Sequence, residues 1–232
     1  MENKCESIYT RTEMMLGADA VERLRGSHVM VFGIGGVGGH ATDALARAGI
    51  GKLTLVDADS VSVTNLNRQM AALISTVGQN KAVAMKARIA DINPECEVCA
   101  IDKFYSEEND DQFDLTGVDY IVDCIDSVKS KIALIVRAKR EGIKIVSSMG
   151  AGNKLDITRF RVADIYKTTH DPLARAIRSE LKRRGVDKLK VVFSDEEPSG
   201  ERLPGAPGSI SFVPGAVGLI LAGEVIKDIS GV

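Results

Sequence analysis

The residues able to do chemistry begin with a glycine cluster. Gly33-Ile-Gly35-Gly36-Val-Gly38 follows the apolar run Val29-Met-Val-Phe32 and fits G-x-G-x-x-G, with one further glycine at 36. Glycines at such a turn let backbone N–H groups approach phosphate oxygens, and the dipole of a following helix favours the same anions. Asp57 closes the next apolar run, Leu53-Thr-Leu-Val56, where a carboxylate can hold ribose hydroxyls. The pattern serves dinucleotides and ATP alike. Between a strand and a helix it points to a nucleotide rather than to a purely structural turn.

What separates hydride transfer from cleavage at a phosphate is charge. A group that breaks a bond at an α-phosphate must neutralise charge growing on phosphate oxygens, which calls for Arg, Lys and a metal. Asn65-Leu-Asn67-Arg68-Gln69 puts a guanidinium beside two amides. A polar loop with asparagine caps explains the asparagines but not Arg68. Lys81 falls in the first turn of a helix pattern, where a cation opposes the dipole; a surface lysine is the plainer alternative. Asp126 lies just past the carboxyl end of the apolar run 120–125, the edge at which open α/β sheets bind ligands. It suits an N-cap equally well, and a cap and a magnesium ligand can share one position. Arg11 carries no meaning alone.

The elements that must position these groups read as strand and helix in alternation. Val29–Phe32, Leu53–Val56, Tyr120–Ile125 and Lys144–Ser147 are continuous apolar runs typical of buried parallel strands, with Glu97–Ile101 and Lys188–Phe193 as further strands. His40–Ala48, Gln79–Ile92, Ser127–Glu141, Pro172–Arg184 and Val217–Ile229 read as helices. The expected fold is α/β: a Rossmann-type doubly wound, mostly parallel sheet with helices on both faces. No segment makes a convincing linker, so 1–232 is expected to be one domain. Within it, 157–212 reads as an insertion-like substrate region, and Asp195–Gly208, rich in Pro, Gly and Glu, as a mobile loop.

The 232 residues carry a net charge of -2, with 44% apolar and 27% charged residues, an ordinary globular balance. The polar, acidic start and four cysteines point to free thiols in a reducing cytoplasm. The longest apolar stretch, Phe212–Ile226, contains Pro214 and Glu224 and is too short for a transmembrane segment. Cys96 and Cys99 form a single Cys-x-x-Cys on an expected strand. Residues three apart there face opposite sides, and a structural zinc site normally takes four ligands, so no zinc is expected.

Together these residues resemble the ubiquitin-activating-enzyme-like adenylating superfamily, the ThiF/MoeB/HesA group. The resemblance is carried by Arg11, Gly33–Gly38, Val56-Asp57-x-Asp59-x-Val61, Asn65–Gln69, Lys81 and Cys124-Ile-Asp126. It implies ATP and magnesium as cofactors. Gly33, Gly35, Gly36 and Gly38 would lie at the nucleotide, with Asp57 on the ribose and Asp59 beside it. Asn65, Asn67, Arg68, Gln69 and Lys81 would surround the phosphates, and Asp126, followed by Ser127, would bind Mg²⁺. Arg11 would reach the phosphates from the second subunit of a homodimer. Arg11, Arg68, Lys81 and Asp126 thus become the catalytic candidates.

Ser147-Ser-Met-Gly-Ala-Gly-Asn-Lys-Leu-Asp156, Arg159-Phe160, Val162–Thr168, Asp171-Pro-Leu173 and Ser211-Phe-Val-Pro214 further resemble the tRNA threonylcarbamoyladenosine dehydratase branch. That resemblance implies ATP-dependent cyclisation of the threonylcarbamoyl group on tRNA adenosine 37 through an acyl-adenylate. It also implies tRNA as partner and leaves room for an auxiliary sulfur-transfer or modification-pathway protein.

Asp171–Lys190 holds seven basic and three acidic residues. Arg175, Arg178 and Lys182 share one helix face, and Arg183 and Arg184 follow. Contact with tRNA phosphates and a plain solvated face both fit. Three rival functions remain. Adenylation of a sulfur-carrier or ubiquitin-like tail shares every ATP residue, but no cysteine follows Cys124 to take the product. An NAD-dependent oxidoreductase leaves Arg68 and Lys81 without a role. A nucleotide-sensing module would bind without turnover.

Overall fold

The computed structural model describes residues 7–199 and 207–232. Seven strands form one sheet: β1 (His28–Phe32), β2 (Lys52–Val56), β3 (Glu97–Ile101), β4 (Tyr120–Asp123), β5 (Lys144–Ser148), β6 (Phe160–Asp164) and β7 (Lys190–Ser194). Their spatial order is β3-β2-β1-β4-β5-β7-β6. All neighbours are parallel except β6, which runs antiparallel to β7 at the edge. The order reverses between β1 and β4, the switch point at which such sheets open a crevice for ligands. Phe32 is in register with Val56 on one side and Asp123 on the other. Gly33, Asp57 and Cys124 therefore leave the sheet side by side.

Among the described residues seven α-helices accompany the sheet: α1 (Thr10–Leu16), α2 (Ala18–Arg25), α3 (Gly36–Ala48), α4 (Lys81–Ile92), α5 (Val128–Arg140), α6 (Pro172–Arg183) and α7 (Phe212–Ser230). Alternation along the strands divides the core. Val29, Val31, Leu53 and Leu55 pack with Leu24, Leu45, Met85, Val217 and Leu221 on one face. Met30, Phe32 and Ile121 pack with Leu134, Ile135, Ile177 and Leu181 on the other. Helices thus cover both faces, as the sequence pattern demands.

Several boundaries differ from the sequence reading. α3 begins at Gly36 rather than His40, so the glycine turn is itself the helix start. α7 begins at Phe212 rather than Val217, because a proline such as Pro214 is tolerated in the first turn, where its missing N–H would have no intrahelical partner. α1, α2 and β6 have no counterpart in that reading. The stretch 157–212 holds β6, α6 and β7, and so supplies two of the seven strands. Of the loop Asp195–Gly208, residues 200–206 lie outside the described residues, as does Cys5. Cys96, Cys99 and Cys124 are free thiols. No described helix is long and apolar enough to cross a membrane.

Candidate functional site

The glycine turn closes over the ends of β1 and β4. Gly33 has φ 86°, and a Cβ there would lie 2.6 Å from the Cys124 carbonyl oxygen. A Cβ on Gly38 would lie 1.8 Å from the Gly33 carbonyl oxygen. Only glycine allows the chain to turn this tightly and enter α3 at once. Asp57 locks the turn. Its carboxylate accepts hydrogen bonds from the backbone N–H of Ile34 at 2.6 Å and of Asp59 at 2.8 Å. Burial raises the Asp57 pKa, and the two N–H groups oppose that rise.

In front of the turn lies a cleft of about 340 Å³. It brings together Gly33, Gly35, Gly36, Asp57, Asp59, Arg68, Gln69, Lys81 and Asp126, which are scattered over nearly one hundred positions. Lys81 is the first residue of α4, whose N-cap is Asn80, with the Asn80 side chain accepting from Val83 N–H at 3.1 Å. The Lys81 side chain is only 8% exposed, and its ammonium lies 2.7 Å from Asp59, which is 73% exposed. A buried stem with its charge held at the cleft is not a solvated surface lysine. The Arg68 guanidinium donates to Thr64 O and Asn67 Oδ1. The Gln69 side-chain oxygen is buried without a hydrogen-bond partner among the described residues.

Asp126 is not the helix cap. Ser127 caps α5, accepting from Ser130 N–H at 3.5 Å, and Asp126, exposed, lines the cleft.

Gly38, Asn65, Asn67 and Ser127 do not line the cleft. Gly38 serves the helix start as above. Asn65 accepts from Ser62 N–H and so closes a single 3₁₀ turn at Val63–Asn65. Asn67 donates to Ser209 O. Arg11 sits exposed on α1 and is not among the residues that line the cleft.

A second, wider cavity of about 810 Å³ shares Gly36, Val37, Arg68, Cys124, Ile125 and Asp126 with the first. The rest of its lining includes Ser148–Lys154, Asp171–Leu173 and Pro214, the last against Gly36. Arg68 and Asp126 thus stand where a nucleotide-sized cleft meets a separate chamber. Such a junction suits transfer between a triphosphate and a second substrate. Burial pushes the Cys124 thiol at this junction up to about 12, which favours its protonated form.

The ThiF family model matches residues 9–232. The chain belongs to the ThiF family. It is 45% identical over 240 residues to the tRNA threonylcarbamoyladenosine dehydratase of Bacillus subtilis, spanning 95% of this chain and 94% of that one. It is 46% identical over 193 residues to the protein of the same name from Escherichia coli, spanning 80% and 72% of the two chains. A crystal structure of the E. coli enzyme in complex with ATP superposes with a TM-score of 0.90 at 39% identity, covering 96% of this chain and 93% of that one.

Within this ThiF-family site, sequence reasoning missed three features. Lys103, Phe104 and Tyr105 follow β3 and close the outer side of the cleft; a strand end beside β2 was the only available signal. Asp123 and Lys131, both with fully buried side chains, pair at 2.8 Å behind the Asp126 turn. Lys154 and Asp171, also buried, meet at 3.6 Å in the chamber wall. Of the basic residues on and after α6, Arg178 donates to Thr168 O and Oγ1. Arg183 and Arg184 pair with Glu180. Arg175 and Lys182 are exposed.

Proposed function

We propose that this chain catalyses the ATP-dependent dehydration of the threonylcarbamoyl group on adenosine 37 of tRNA. The observation that carries the reading is the junction of cleft and chamber at Arg68 and Asp126, in a chain 45% identical to a tRNA threonylcarbamoyladenosine dehydratase over nearly its full length.

ATP occupies the cleft. The backbone at Gly35 and Gly36, at the N-terminus of α3, faces its phosphates. Asp57 holds the ribose. Arg68 and Lys81 bring positive charge to the α-phosphate, and Gln69 offers its partnerless side-chain oxygen to the nucleotide. The substrate lies in the chamber, with its free carboxylate directed through the junction. The carboxylate oxygen attacks the α-phosphorus, the bond to pyrophosphate breaks, and an acyl-adenylate forms. An internal nucleophile of the modification then attacks the acyl carbon and loses its proton. AMP leaves with the former carboxylate oxygen, so the modified base has lost the elements of water.

Magnesium fits Asp126, which lines both cavities and takes no part in capping α5. Mg²⁺ often takes only one or two protein carboxylates together with substrate phosphates. Asp126 would hold it, and when bound it would offset part of the triphosphate charge. A homodimer accounts for Arg11. Met14 and Met15 on the same helix are 81% and 82% exposed, and Ile74 and Val63 are 81% and 67% exposed, apolar surface of the kind a second copy covers. The partner's Arg11 then completes the charge around the phosphates. Arg175 and Lys182 extend from the chamber wall along α6 and meet tRNA phosphates.

The test is mass analysis of tRNA nucleosides. Threonylcarbamoyl-modified tRNA incubated with the protein, ATP and Mg²⁺ loses the mass of one water per modified base, with AMP and pyrophosphate released in step. ATP–pyrophosphate exchange driven by a sulfur-carrier protein but not by tRNA would transfer the reading to the carrier-adenylating alternative.

A further inference from the structure

The chamber wall holds two adjacent polar groups that nothing among the described residues satisfies fully. Lys154 is 4% exposed. Its ammonium donates to Ser194 O at 2.9 Å and lies 5.5 Å from the centre of the Phe160 ring. It also pairs with the buried Asp171 carboxylate, whose Oδ2 lies at 3.6 Å. Asp171 is shared with Gly150 N–H at 3.1 Å and, at the start of α6, with Ala174 N–H at 3.0 Å. An ammonium has three donors; beyond Ser194 O and the long contact to Asp171, the third on Lys154 has no acceptor among the described residues. Next to it, the Asn153 side-chain oxygen is buried with no partner among the described residues. Buried polar groups are normally paired, and an orphan calls for an explanation.

The backbone carries a second sign. Asn153 (φ 57°) and His170 (φ 58°) are the two non-glycine residues with positive φ among the described residues, and each immediately precedes one member of the Lys154–Asp171 pair. Asn153 is pinned on both sides, its N–H donating to Gly208 O at 2.8 Å and its carbonyl accepting from Ser199 N–H at 2.7 Å. Strain held in place this way gathers where a ligand is gripped.

Resting on the dehydratase reading, we propose that Asn153 and Lys154 form a clamp for an N-carbamoyl amino acid end of the substrate. The Lys154 ammonium takes the carboxylate and the Asn153 side-chain oxygen takes a carbamoyl N–H. The two groups are neighbours in the chain as carboxylate and N–H are neighbours across one α-carbon. Among the described residues, Arg68 and Lys154 are the two cations lining the chamber. With Arg68 at the phosphates, Lys154 is placed to hold the carboxylate until it reacts.

The test is steady-state kinetics of the full chain on threonylcarbamoyl-modified tRNA. Asn153→Gly removes the oxygen while suiting the left-handed backbone; Lys154→Gln keeps a donor for Ser194 O but loses the charge. Both raise KM for tRNA about ten- to a hundredfold, as expected for a lost hydrogen bond to a charged or buried group, and leave KM for ATP within about twofold. Lys154→Arg restores most of the tRNA KM. A tRNA KM unmoved in either folded variant, or an equal rise in both KM values, overturns the clamp. If Lys154→Gln does not fold, Asn153→Gly decides. A wild-type protein inactive on this tRNA refutes the dehydratase reading itself, and the clamp with it.

Discussion

Lys81 places its ammonium 2.7 Å from Asp59 at the end of a stem that is 8% exposed. The aspartate facing it is open to solvent, so an incoming phosphate can replace it as the counter-charge without uncovering the lysine. Lys81→Ala therefore lowers turnover by about 10²–10³-fold, the cost of removing one group aimed at developing charge. The helix survives, since alanine is the best helix former. Asp59→Ala costs far less. AMP release and thermal unfolding of both variants check this; Lys81→Ala with normal turnover would remove lysine from the mechanism.

Asp57 is raised by burial, and the sign of the consequence is fixed. In the proposed site, ribose binding uses the carboxylate. A raised folded-state pKa means that this carboxylate takes up its proton at a higher pH than an ordinary aspartate does. ATP affinity therefore falls on acidification before ordinary carboxylates protonate. Calorimetric titration with ATP in small pH steps detects that limb. Asp57→Ala binds ATP weakly at every pH and lacks the limb; a wild-type affinity flat down to the ordinary aspartate range contradicts the assignment.

Arg11 and Asp126 occupy different parts of one protomer, yet both are proposed for one site. Arg11→Ala and Asp126→Ala are each inactive alone. If each site borrows the partner's Arg11, mixing the two proteins under exchange conditions gives heterodimers with one intact site, and about a quarter of wild-type turnover returns at equal amounts by random pairing. Turnover that stays at zero at every ratio rejects the shared site.

Arg175 and Lys182 differ from their neighbours, because Arg178, Arg183 and Arg184 are tied to Thr168 and Glu180. Charge reversal at Arg175 and Lys182 weakens tRNA binding and reduces the slope of log K against log salt by about 1 for each phosphate no longer neutralised. ATP binding is unchanged. Fluorescence anisotropy with labelled tRNA over a salt series measures the slope, and an unchanged slope returns α6 to the status of a solvated face.

The parts of this architecture that sequence could reveal are those written locally. β1, β2, β4 and β5 are short apolar runs stopped by Gly, Asp or Ser, and the ends of each agree with its run to within two residues. Gly33, Asp57, Arg68 and Lys81 carry the wrong charge or too little side chain for an inert loop, and the cleft gathers all four. β6 escaped because Phe-Arg-Val-Ala-Asp buries only Phe160 fully and leaves its other positions partly open, too weak an alternation to register in five residues. The chamber escaped for a different reason. Lys154 meets Ser194 and Asp171, 40 and 17 positions away, and such partners are set by how β5, β7 and α6 meet and not by any local pattern.

Lys131 shows the same limit from inside a helix, since its spacing reads as one more polar turn of α5. Folded, it has no exposed side chain. Its ammonium bonds Asp123 Oδ2 at 2.8 Å and Ser147 Oγ at 3.1 Å, and Ser147 donates to Asp123 Oδ2 at 2.6 Å. The other Asp123 oxygen accepts from Ile125 N–H at 3.1 Å, so the network fixes the turn that carries Asp126. Lys131→Met leaves a buried carboxylate uncompensated and destabilises by about 3–5 kcal/mol, or roughly 6–20 °C in Tm for a domain of this size. Asp123→Asn with Lys131→Met removes both charges and recovers part of the loss, since apolar or neutral replacement of a whole buried pair is often tolerated. Denaturant titrations of the single and double variants decide it. Recovery of stability without recovery of turnover would place the network's catalytic effect in the aim of Asp126; a Lys131→Met protein as stable as wild type would mean that the pair does not hold the turn at all.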